Sequence, residues 1–258
     1  MNKHFSVWLV AILAPLAWML PIQAQDEEND GAADVVMITA NPGEGAALEA
    51  AIRDYHLWVA DKPGHFQYNW YAIETGPDTG KYAARSGGHN WEDFDAEYDW
   101  QEEAGEKFQA EVAPHVAHME RMVTVEMKEY AHWPENWDGY THFQLEDWYI
   151  MQGQGRAFRE GLATIHAALT EAGYSNHYGF HSVVSGGKGN QINLVLPMKG
   201  YADFADDADP SFMDIVSETL GGEDAFQAFM SEWSTTFKVG DSWLVRRLPE
   251  ASDYGDSE

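Results

Sequence analysis

Gly43-Glu44-Gly45-Ala46-Ala47-Leu48-Glu49-Ala50-Ala51-Ile52-Arg53-Asp54-Tyr55-His56 aligns without a gap with Gly153-Gln154-Gly155-Arg156-Ala157-Phe158-Arg159-Glu160-Gly161-Leu162-Ala163-Thr164-Ile165-His166 at a shift of 110 residues. Further along at the same shift, Tyr68 meets Tyr178, Gly76 meets Gly186, Asp93 meets Asp203 and Phe94 meets Phe204. Matches at one offset, at equivalent points of the same expected elements, read as an internal duplication. In each copy the aligned segment has helical periodicity. Leu48, Ile52, Tyr55 and Val59 share one face, as do Phe158, Leu162, Ile165 and Leu169.

Working outward, an apolar strand precedes each helix, Val35 to Thr39 and His142 to Ile150. Two strands joined by a Gly-rich turn follow: Phe66 to Thr75 with Lys81 to Ser86, and Asn176 to Ser185 with Gln191 to Pro197. A second helical region opens at Trp91-Glu92-Asp93-Phe94 or Tyr201-Ala202-Asp203-Phe204, and is expected to reach His118 or Phe237. Met122 to Lys128 and Ser242 to Leu248 are the closing strands. The order βαββαβ, twice, predicts an α+β chain of two tandem ferredoxin-like units. Their expected bounds are 34–130 and 141–249, with a linker at 131–140 and acidic disordered tails at 25–33 and 250–258.

The four-strand unit, its hairpin and the aromatic-acid-aromatic opening of the second helix resemble the dimeric α+β barrel superfamily, which includes antibiotic-biosynthesis-monooxygenase-like, NIPSNAP-like and EthD-like domains. The resemblance implies two sheets face to face and a small-molecule pocket between sheet and helices. A tandem copy implies a pseudo-dimeric barrel within one chain, as a monomer or as part of a homodimer.

Composition narrows the partners. The 258 residues carry 43 acidic and 15 basic side chains, a formal charge of −28, which disfavours nucleic acid because that binding is driven by Lys and Arg. Lys3, an apolar stretch from Phe5 to Leu20 and Ile22-Gln23-Ala24 have the layout of a signal peptide, with cleavage expected after Ala24. Pro15 and Pro21 interrupt a stretch already short for a bilayer span, so no integral membrane segment is expected after processing. The chain has no Cys, which removes a disulfide framework and a lipid-modified cysteine. The expected location is the periplasm or the medium.

Few motifs carry chemistry. Gly43-Glu44-Gly45 and Gly153-Gln154-Gly155 lack the third glycine of a dinucleotide loop, and Gly186-Gly187-Lys188-Gly189-Asn190 aligns with an ordinary hairpin turn. No nucleophile-elbow setting is present for a hydrolase. His56 and His166 fall on the margin of the apolar helix face, where each either borders a pocket or secures the helix. Tyr68, Trp70, Tyr178 and Phe180 share one side of equivalent strands, with Trp91 and Tyr201 opening the next helices; these aromatics either line a cavity or pack the core. His177 and His181 stand on the second copy's strand where the first has Gln67 and Tyr71, which marks the second copy as the functional one if only one is.

The candidate ligand-binding set is therefore His56, Tyr68, Trp70, His166, His177, Tyr178, Phe180 and His181, with no metal ligands assigned. No cofactor is predicted: His115-x-x-His118 stands alone without a His-Glu-x-x-His pattern. Haem or a transition metal is the alternative, since haem-binding chlorite-dismutase-like proteins belong to the same broad superfamily. The expected function is an exported soluble protein holding a small apolar or aromatic ligand. The alternatives are a cofactor-independent monooxygenase-like enzyme or a haem- or metal-binding enzyme.

Overall fold

A computed structural model describes residues 29–205 and 208–252; the expected signal peptide and the outer parts of both tails lie outside the described residues. The first half runs β1 (Ala32–Ala40), α1 (Gly45–Val59), β2 (Asn69–Ile73), β3 (Tyr82–His89), α2 (Gln101–Glu111) and β4 (Val116–Glu126). The second runs β5 (His142–Ile150), α3 (Gly155–Ala172), β6 (Gly179–Ser185), β7 (Gln191–Met198), α4 (Phe212–Leu220), α5 (Glu223–Trp233) and β8 (Phe237–Arg247). All eight strands pair antiparallel in one closed barrel, β1-β3-β2-β8-β5-β7-β6-β4. Read from its last strand, each half has the order β4-β1-β3-β2 or β8-β5-β7-β6.

The helices form because their apolar stripes meet the outer face of the sheet. Leu48, Ile52, His56 and Val59 of α1 are buried, as are Phe158, Leu162, Ile165 and Leu169 of α3. Each fully buried Leu, Ile or Phe contributes about 1.5–3 kcal/mol. Gly173 ends α3 in the left-handed region at φ 66°, and Tyr174 N–H donates back to the Leu169 carbonyl at 2.9 Å, which satisfies an orphan acceptor. A capping box of Ser211 and Asp214 starts α4.

Several boundaries differ from the sequence expectation. β1 begins at Ala32, inside the stretch expected to be a tail, because Ala32 and Ala33 are fully buried opposite Val125 and Thr124. The second helical region of the first half stops at Glu111. A short 3-10 turn holding Pro114 ends it, and His118 lies in β4 rather than in a helix. In the second half, two helices joined at Gly221-Gly222 replace one, and Phe237 opens β8. Ala251 is buried and the Ser252 hydroxyl accepts from the Trp70 N–H at 3.0 Å, so the start of the expected C-terminal tail packs on the first half.

The 131–140 segment is anchored rather than loose. β4 and β5 are not neighbours in the barrel, so the chain crosses one mouth to connect them. His132 and Tyr178 exchange both backbone hydrogen bonds, and Trp137 packs between Trp133 and Phe143.

Two glycines at the shift of 110 sit where the halves meet. Gly76 and Gly186 have φ of 88° and 83°, and a side chain there would press on the Ser242 and Arg121 carbonyls, at 2.5 and 2.0 Å from an added Cβ. Gly189, in the same turn as Gly186, has open space around it. Gly186→Ala is expected to lower stability by about 2 kcal/mol or more, combining left-handed strain with a backbone clash, whereas Gly189→Ala stays within about 0.5 kcal/mol. Urea unfolding of the two variants beside the parent checks the contrast.

Candidate functional site

Between the outer face of the second half's sheet and its helices lies a cavity of about 340 Å³. Its floor is Trp148 of β5, Phe180 of β6, and Leu194 and Leu196 of β7. Leu162, Ile165 and Leu169 of α3 form one wall, and Phe212, Met230 and Trp233 from α4 and α5 form the roof. Rigid aromatic rings hold the space open: Trp148 stacks on Phe237 at 4.6 Å, and Phe158 on Trp233 at 5.7 Å. The Trp233 indole N–H donates to the Phe158 carbonyl at 3.0 Å, which ties α5 to α3.

Beside Tyr174, the polar feature of this lining is a pair. His166 Nδ1 lies 3.0 Å from the Tyr178 hydroxyl. Burial pushes the Tyr178 phenol up to about 12, so it stays a neutral donor. Burial, with repulsion from His132, lowers His166 below the ordinary imidazole value, so its ring is neutral at pH 7. A neutral imidazole and a phenol at the edge of an apolar cavity can orient a ligand hydroxyl or carbonyl and pass it a proton.

Three of the eight candidate residues, His166, Tyr178 and Phe180, thus meet around one cavity. The other five lie elsewhere. His56 is buried on α1, Trp70 belongs to the first half's core, and the Tyr68 hydroxyl donates to Asp34. His177 lines an open cleft with His132, Tyr140 and Lys199, and His181 points into the barrel lumen against Arg85. Trp91 and Tyr201 are 43% and 55% exposed, so neither lines a cavity. Sequence reasoning did not assign Leu194, Leu196, Phe212, Met230 or Trp233 to the site. The signals were the period-2 run Ile192-Leu194-Leu196 and the Phe226, Phe229, Trp233 spacing.

Ser86, His89 and Asp93 approximate a hydrolytic triad in order but not in access. Ser86 Oγ is 2.8 Å from His89 Nε2, yet Ser86 is only 2% exposed. His89 Nδ1 is 3.9 Å from Asp93 Oδ2, which already accepts from the Asn90 N–H. These contacts secure a turn.

Of the partners that haem uses, the lining supplies one axial imidazole, His166, and no cation for the carboxylates. Among the described residues no cluster of three or more His, Asp or Glu could hold a metal ion.

Burial also lowers His89 and His177 below the ordinary 6.5 and, with Arg85 beside it, takes His181 well below that value. Above that value both folded and unfolded chains hold these rings neutral. Below it the unfolded chain binds protons first, so stability falls as pH drops from about 6.5 towards the folded values. The urea midpoint is expected to be lower at about pH 5.5 than at about pH 7.5, with a smaller drop in His181→Gln.

No family model and no curated protein matches the chain. Solved structures do. A provisionally assigned monooxygenase from Lactobacillus acidophilus is similar with a TM-score of 0.52 at 7% identity, over 85% of this chain and 94% of its own. Chlorite dismutase from Candidatus Nitrospira defluvii, in complex with imidazole, is similar with a TM-score of 0.51 at 10% identity, over 86% and 93%. At these identities the likeness concerns fold alone. The chain has the dimeric α+β barrel fold of these proteins.

Proposed function

We propose that the chain is an exported binding protein that holds a small apolar or aromatic molecule in the cavity roofed by α3, α4 and α5. The observation that carries this reading is a 340 Å³ apolar space with one His-Tyr pair at its margin, the proportions of a small-molecule site. The signal-peptide layout of residues 1–24 supports export to the periplasm or medium, and no helix among the described residues is long and apolar enough to cross a membrane. Matching residues at the shift of 110 and the repeated strand order support two tandem copies closing one pseudo-dimeric barrel in a monomer. A second reading, an oxygenase without a cofactor, draws on the same pair: neutral His166 would take a proton from a substrate carbon before oxygen reacts with the carbanion.

Naphthalene and 2-naphthol separate the elements of the site. Both are expected to bind, and 2-naphthol more tightly by about fivefold, the worth of one hydrogen bond of about 1 kcal/mol. Leu194→Trp, which fills the cavity, removes both. Replacing His166 by Ala and Tyr178 by Phe together abolishes the preference and leaves naphthalene bound. Absence of binding by the folded parent would sink the reading. Oxygen consumption with 2-naphthol that depends on His166 would favour the enzyme over the binding protein.

A further inference from the structure

Strand alternation turns a second set of polar side chains into the barrel lumen. Trp70, Ala84 and Phe180 face the helices, so Asn69, Tyr71, Arg85 and His181 beside them face inward. Pairing gathers them at the mouth that residues 131–140 cross: Asn69 stands opposite Arg85, Tyr71 opposite Arg247, and Glu126 opposite His181. Arg247 also donates to Asn69 at 3.0 Å.

Arg85 reaches across the lumen. Its Nη2 is 3.1 Å from His181 Nε2, although β3 and β6 are not neighbours in the barrel. Burial and the guanidinium keep His181 neutral, so it accepts a hydrogen bond without balancing the charge. Among the described residues no carboxylate forms an ion pair with Arg85; Glu126, which faces the same lumen, acts on its charge from farther off and accepts from the Trp133 indole. A guanidinium so placed leaves donors for a further acceptor. Arg85 is half-buried, and its Nη1 lies against exposed Gly87, 2.5 Å from where a Cβ added there would stand.

The surroundings are flat and aromatic. Trp133 lies beside the His181 ring at 5.9 Å, and Tyr71 meets Phe143 edge-on at 5.5 Å. A planar fork of N–H donors matches a carboxylate, and aromatic walls suit a ring attached to it. We propose that this mouth of the lumen binds a small aromatic carboxylate, with the Arg85 guanidinium gripping the carboxylate and Trp133 covering the ring. The site is separate from the cavity under α3 and does not depend on what that cavity holds.

Benzoate is the probe, with inorganic phosphate as the comparison. Calorimetric titration of the full chain is expected to show saturable benzoate binding. Arg85→Gln weakens it by roughly tenfold or more, and Gly189→Ala, in an exposed turn, leaves it unchanged. Should Arg85→Gln fail to fold, phenylglyoxal labelling of the parent followed by peptide mapping gives the same answer: benzoate is expected to slow modification of Arg85. The proposal is overturned by no saturable binding and no protection up to tens of millimolar benzoate, by unchanged binding in folded Arg85→Gln, or by phosphate binding as well as benzoate does.

Discussion

Closure of the sheet is the constraint on which the molecule depends. Each half is a four-stranded sheet with helices on one face, and by itself would present two open edges and an uncovered face. Both difficulties vanish when β2 pairs with β8 and β4 with β6. These seams are short, three residue pairs in one and four in the other. Backbones must therefore approach closely where the halves meet, which explains glycine at 76 and 186, each against a carbonyl of the opposite half. Closure also forces the connection from β4 to β5 across a mouth of the barrel, and so brings Trp133 and Trp137 over the lumen.

With the sheet closed, the halves differ in what covers them. The 11-residue α2 of the first half buries only Ala104, while the second half lays α4 and α5 over α3. Gly161 makes that layer possible, because a Cβ there would meet the Trp233 ring at 2.1 Å. Trp233 can then lie flat on Phe158 and hold α5 at a fixed height above the sheet. Rings stacked in this way cannot collapse into the remaining space as flexible side chains would, and the cavity persists beneath them.

Strands, the first helix of each half and the hairpins were legible because their signals are local: alternation, a four-residue apolar stripe, glycine-rich turns. The long ends of β4 and β8 were not. Met119 and Val239 are exposed, so the alternation that betrays a half-buried strand is lost there. Ala32 and Ala33 hid beside an acidic run, since two small residues carry no periodic signal although both are fully buried. For the site, the shift of 110 pointed to His166 and Tyr178 together, but not to the outcome that their counterparts have other partners. Helical spacing placed Trp233 on a helix; only packing in three dimensions reveals that it roofs a cavity.

The difference between counterparts traces to few positions. Position 34 is Asp, and there the Tyr68 phenol donates to a carboxylate that Arg121 also holds at 2.7 Å. At the shift of 110 stands Gln144, whose amide donates to Glu146, and Tyr178 is left to meet His166. The lumen is asymmetric in the same way. Arg85 corresponds to Val195, and His181 to Tyr71. Two copies of the first half would place two guanidiniums in one lumen, whereas two copies of the second would place none at this position. Joining unlike halves in one chain puts one guanidinium opposite one neutral imidazole, an arrangement that a symmetric pair of identical chains cannot produce.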